Sequence, residues 1–81
     1  MKKVIITGGS GFIGSNLVDF LIKKNFFVIN LDKLTYSSNR YKNNIRNSKN
    51  YKLIKVDIIN KKKIIQIIKR YKPKAIFNLA A

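Results

Sequence analysis

"KVIITGGSGFIGSN", residues 3–16, holds all four glycines of an 81-residue chain. Lys3 to Thr7, "KVIIT", is a short run of β-branched residues that leads straight into the glycines, as expected of a strand buried on both faces of a parallel sheet. From Phe12 to Lys24, the apolar residues Ile13, Leu17, Val18, Leu21 and Ile22 recur at helical spacing. The glycines therefore stand at a strand-to-helix turn. Counted from Gly9 they read G-x-G-x-x-G, and from Gly8 they read G-x-x-G-x-x-G. Either frame makes the same physical demand. Gly8 and Gly9 make a tight turn, Gly11 lets backbone N–H groups approach a pyrophosphate, and Gly14 lets the helix lie close on the sheet. Phe12 and Ile13 then offer main-chain donors at the positive end of the helix.

The next strand, "FFVINL", ends at Asp32, 21 positions after Gly11. At that distance a carboxylate meets the hydroxyls of an adenosine ribose. Strand, glycines, helix and acid together predict a dinucleotide site. A carboxylate there repels a 2′-phosphate, so NAD is expected over NADP, with Lys33 weakening the exclusion.

Farther along, residues 32–52 turn polar and read as a loop with one short helix. "KLIKV" (residues 52–56) is a third strand closed by Asp57, also on the carboxyl edge where ligands bind in such sheets. Asn60 can cap a helix to about Tyr71, with Ile64, Ile65, Ile67, Ile68 and Tyr71 as its buried stripe. Pro73 ends it, and "KAIFNLAA" begins a fourth strand. The order predicts an α/β fold, the N-terminal half of a Rossmann-type doubly wound parallel sheet (β-α-β-loop-β-α-β). Residues 1–81 are accordingly expected to be part of an NAD-binding domain, whose remainder would cover an apolar face and an edge left bare here.

Composition bounds the alternatives. With no cysteine and no histidine, disulfides, thiolate metal sites and the commonest general base are excluded. The opening "MKKVIITGG" breaks its apolar run too soon for a secretory core, and no run approaches a membrane span, so a cytoplasmic protein is expected. The net charge of +15 invites a nucleic-acid partner. Yet lysine, asparagine and isoleucine, which share A/T-rich codons, make up 39 of the 81 residues, and the lysines are scattered. The charge is therefore read as composition, and no nucleic-acid partner is expected. A small basic nucleic-acid module would gather cations and aromatics on one face, whereas three of the four tyrosines cluster in one loop and the phenylalanines are expected in the core.

"TGGSGFIGSNLVDFL", "NLDKLTYSSN", "VDI" and "IFNLAA", in this order, resemble the extended short-chain dehydrogenase/reductase family acting on nucleotide sugars, the NAD-dependent epimerases and dehydratases. "LDKLTY" looks most like the dTDP-glucose 4,6-dehydratase branch. The resemblance implies that Phe12 and Ile13 face the pyrophosphate of NAD, and that Asp32, Lys33, Leu34 and Thr35 surround the adenosine ribose. It also implies that Asp57 and Ile58 border the adenine, and that Leu79, Ala80 and Ala81 begin the loop on the nicotinamide side. Ser37 and Ser38 depart from the commoner Ala-Gly, and Asn25, which reads as a left-handed stop for the first helix, stands where a helix-ending glycine is usual. The family's base is the tyrosine of a Y-x-x-x-K pair, assisted by an Asp-Glu couple. These are expected beyond Ala81, so Tyr36, Tyr41, Tyr51 and Tyr71 receive no catalytic role. The nucleotide-sugar substrate and a homodimeric assembly are expectations for the full-length protein. A sibling epimerase or reductase is the second reading.

Overall fold

In the computed structural model, which describes residues 1–34 and 49–80, β1 (Lys3–Thr7) lies at the centre of a parallel sheet. The chain then forms α1 (Phe12–Lys23), β2 (Phe27–Asp32), β3 (Tyr51–Lys55), α2 (Lys61–Tyr71) and β4 (Ala75–Asn78). The strand order is β3-β2-β1-β4, so the direction of winding reverses at β1. In open α/β sheets such a reversal opens a crevice at the carboxyl ends of the strands. The expected α/β half-sheet is the observed one.

Alternation along the central strands divides the interior in two. Val4, Ile6 and Val28 pack with Val18 and Leu21 of α1, whereas Ile5, Ile29 and Leu31 pack with Val56 and with Ile67 of α2. Because successive strand residues point to opposite faces, the two helices cover opposite faces of the sheet. β1 and β2 are buried almost throughout; β3 and β4, at the edges, are largely half-buried or exposed.

Local chemistry sets the helix limits. Asn25 adopts the left-handed region (φ 68°). Its N–H donates to the Ile22 carbonyl at 3.0 Å, and the Phe26 N–H donates to the Leu21 carbonyl at 3.1 Å. This is the paired closure of a Schellman motif, with asparagine at the position glycine usually fills. Asn60 caps α2 by accepting from the Lys63 N–H at 3.2 Å, an arrangement worth about 1 kcal/mol. Lys61, Lys62 and Lys63 occupy the first turn of α2, where the helix dipole disfavours cations. Packing must therefore hold this helix.

Two sequence expectations require correction. Ile65 is 51% exposed; α2 packs through Ile64, Ile67, Ile68 and Tyr71, whose spacing keeps one face inward, and Ile65 lies off that face. Phe12 and Phe20 are likewise exposed rather than in the core. Phe20 instead lies beneath the Lys24 ammonium, 5.5 Å from its ring centroid. Residues 35–48 and 81, and with them the expected loop helix and the Ser37-Ser38 departure, lie outside the described residues.

Candidate functional site

The glycine turn leaves β1 at the carboxyl edge, and each glycine meets a different constraint. Gly8 has φ 76°, a region that strains side chains, and a Cβ there would stand 2.9 Å from the Ala80 nitrogen. A Cβ on Gly9 would stand 2.5 Å from the Asn30 Oδ1. At Gly14 it would fall 2.2 Å from the Gly8 carbonyl oxygen and 2.7 Å from the Gly9 Cα. Gly14 thus brings α1 down onto the turn itself, a closer approach than the expected one onto the sheet. Gly11 differs from the other three. Its φ is negative, and the nearest atom to a Cβ would be the Gly8 carbonyl oxygen at an ordinary 3.6 Å. Among the described residues, nothing demands glycine here.

Gly11 is also the N-cap of α1 and supplies no side-chain acceptor, and the first turn contains no acid. The first N–H groups of a helix have no acceptor within the helix, so this end presents donors and a partial positive charge. Phe12 and Ile13, in that turn, are 64% and 71% exposed.

Asp32 closes β2 beside the turn and is buried. Its Oδ2 accepts from the Ser10 N–H at 2.9 Å and its Oδ1 from the Leu34 N–H at 2.8 Å. A carboxylate offers roughly four lone-pair directions, so acceptor capacity remains after both bonds. Leu34 turns the chain away with φ 60°. Lys33 reaches across to Asp57, Nζ to Oδ2 3.5 Å, so the cation expected to weaken phosphate exclusion is drawn toward a carboxylate. Asp57 also accepts from the Ile59 N–H, the turn role open to it on spacing alone. Ile58 lines a cleft of about 250 Å³ with Thr7, Ile64, Ile76 and Asn78.

On the other side of the turn, the Leu79 N–H donates to the Thr7 carbonyl at 3.0 Å and the Ala80 N–H to the Thr7 Oγ1 at 3.4 Å. The structure therefore gathers Gly8, Gly11, Phe12, Ile13, Gly14, Asp32, Lys33, Leu34, Asp57, Ile58, Leu79 and Ala80 along one edge of the sheet and around the helix that leaves it. Thr35 and Ala81 lie outside the described residues.

Three participants escape the glycine fingerprint: Ser10, Asn30 and Tyr51. Asn30 is fully buried and bonds to Gly9, to Ser10 and to the Tyr51 hydroxyl. A lone amide in the apolar run "FVINL" is the sequence signal that could have found it, since a buried amide requires partners.

Tyr51 does have a lysine four residues on, Lys55. Both belong to β3, where they share a face but stand about 13 Å apart, whereas a helix would bring them to about 6 Å. The spacing of a tyrosine-lysine base pair is present without its geometry. At the amino ends of the strands, away from these groups, a side-chain hydrogen bond with Lys2 and the Lys2 charge hold Lys74 below the ordinary lysine range. Among the described residues there is no cluster of acids suited to a metal, and no helix long and apolar enough to cross a membrane.

Comparison with known proteins places the whole arrangement. The dTDP-glucose 4,6-dehydratase of Haemophilus influenzae is 43% identical over 83 residues, covering 100% of this chain and 25% of the relative. The UDP-glucose 4-epimerase of Mycolicibacterium smegmatis is 34% identical, covering 98% of this chain and 25% of the relative. The chain thus spans about a quarter of the length of these curated relatives. Among solved structures, the Bacillus anthracis dTDP-glucose 4,6-dehydratase in complex with NAD matches with a TM-score of 0.90 and 36% identity, over 100% of this chain and 27% of that one. The sequence profile described as GDP-mannose 4,6 dehydratase matches residues 5–81. With both edge strands, both helices and the glycine turn inside that match, the chain belongs to the GDP-mannose 4,6 dehydratase family.

Proposed function

We propose that this chain is the NAD-binding segment of a nucleotide-sugar 4,6-dehydratase acting on dTDP-glucose. The observation that carries the cofactor reading is Gly11, at the donor-rich end of α1, where among the described residues an added Cβ would meet nothing closer than the Gly8 carbonyl oxygen at 3.6 Å. That cradle fits a pyrophosphate: backbone N–H groups at Phe12 and Ile13 would bind it, helped by the helix dipole. Asp32 would use its remaining lone pairs on the adenosine ribose, with Leu34 and Thr35 beside it. Asp57 and Ile58 would border the adenine, and Leu79, Ala80 and Ala81 the nicotinamide side.

When bound, NAD supplies an acceptor for a hydride from the sugar and later gives that hydride back. This chain's residues hold and orient it, and no group among them is assigned to proton transfer. The tyrosine-lysine pair and the Asp-Glu couple are assigned to the remainder of the relatives' length, and the chain alone is expected to be inactive. The same resemblance extends to a homodimer and a cytoplasmic location for the full-length enzyme. The epimerase relatives support a second reading, in which the same segment serves UDP-glucose 4-epimerisation.

One measurement tests the cofactor reading, and a second separates the dehydratase from the epimerase. In a calorimetric titration, NAD should bind at least about tenfold tighter than NADP, because the Asp32 carboxylate repels a 2′-phosphate; equal affinities would remove Asp32 from the ribose. Incubated with dTDP-glucose, the full-length protein should release a product lighter by one water. A product of unchanged mass formed from UDP-glucose would establish the epimerase instead.

A further inference from the structure

Asn30 stands in the centre of the α1 face of β2, next to the carboxyl end, with no exposed surface. Each of its hydrogen-bonding atoms is engaged. Oδ1 accepts from the Gly9 N–H at 2.8 Å, and Nδ2 donates to the Ser10 Oγ and to the Tyr51 hydroxyl, both at 2.9 Å. Gly9 has only an N–H to offer here, so it fixes which way the amide faces. Two residues farther along the same strand, Asp32 takes the Ser10 N–H. β2 thus holds consecutive turn residues by alternate side chains, Gly9 through Asn30 and Ser10 through Asp32.

Elsewhere the turn is anchored at its start, where the Gly8 N–H donates to the Leu31 carbonyl at 2.8 Å, and Gly14 packs α1 against Gly8 and Gly9. Between Gly8 and Gly11 its internal backbone bond is the Gly11 N–H to the Gly8 carbonyl, a long 3.3 Å. Gly9 and Gly11 also lack side chains that could restrict them. We propose that Asn30 is a positioning residue that holds the glycine turn in its pyrophosphate-accepting shape, with Tyr51 as its prop on the neighbouring strand. This rests on the dinucleotide reading above. A ligand carrying a pyrophosphate should feel the loss of Asn30, and one carrying only the adenine and ribose should not.

The test compares NAD with adenosine, which lacks phosphate, on the full chain and its Asn30→Leu variant. Removing a buried amide that satisfies a backbone N–H should weaken NAD roughly tenfold or more and leave adenosine within about twofold. Parallel weakening of both ligands, or an unchanged NAD affinity, would overturn the proposal. Should Asn30→Leu fail to fold, Tyr51→Phe removes one hydroxyl without touching the turn; NAD should then weaken roughly threefold, and an unchanged affinity would count against the proposal. Amide exchange without ligand keeps the two readings apart. Gly9 and Ser10 should exchange at least about tenfold faster in Tyr51→Phe even if the parent chain binds no NAD, and unaltered exchange would sink the positioning role on its own.

Discussion

Gly14→Ala is expected to destabilise the chain by about 2 kcal/mol or more. The added methyl would lie 2.2 Å from the Gly8 carbonyl oxygen and 2.7 Å from the Gly9 Cα. Both are backbone atoms, and neither can swing aside as a side chain would. Alanine gains up to about 1 kcal/mol of helix propensity over glycine. Overpacking typically costs about 1–3 kcal/mol and occasionally more, and a clash this short with backbone belongs at or beyond the upper end. The clash therefore prevails. Urea unfolding of the full chain would show the midpoint falling or the cooperative transition disappearing. A variant as stable as its parent would mean that α1 can lift off the turn at no cost, and the packing described for Gly14 would be wrong.

Gly11→Ala should do the reverse, leaving the fold alone and damaging the ligand. Its backbone (φ −77°, ψ −179°) suits any residue, and among the described residues the added methyl meets nothing closer than 3.6 Å. Losing glycine at an N-cap is unfavourable, whereas restricting the unfolded chain is favourable, so stability should change by less than about 0.5 kcal/mol. NAD affinity should drop at least about tenfold, because the methyl would hold a phosphate off the N–H groups at the helix end. An unchanged affinity would show that the opening at Gly11 does not face the ligand.

How much of this was legible beforehand varies with the range of the interaction. β1 was read to its residue limits, and Asn25 as the left-handed end of α1, because both depend on neighbours in sequence. β2 begins at Phe27, one residue later than the apolar run suggests, because the Phe26 N–H is occupied in closing α1. β3 begins at Tyr51, one residue earlier, since parallel pairing sets Tyr51 opposite Val28. The glycine turn and Asp32 were legible through their spacing. What could not be read was who touches whom: Lys33 and Asp57, or Asn30 and Tyr51, are joined by the sheet's register and by no local pattern. For the same reason, Tyr51 and Lys55 show the spacing of a catalytic pair on an element that draws the two apart.

The division of the interior by the sheet has an energetic corollary. Ile5 and Ile6 are covalent neighbours, yet among the described residues they belong to separate clusters, one facing α2 and the other α1. Val4 and Val28 lie far apart in sequence but opposite one another in the ladder and within one cluster. Truncating Ile5 and Ile6 together should therefore cost the sum of the single losses to within about 0.5 kcal/mol, while Val4 and Val28 should depart from additivity by that amount or more. Proximity along the chain and thermodynamic coupling run in opposite senses here, so a scan of adjacent pairs would sample two independent halves of the molecule.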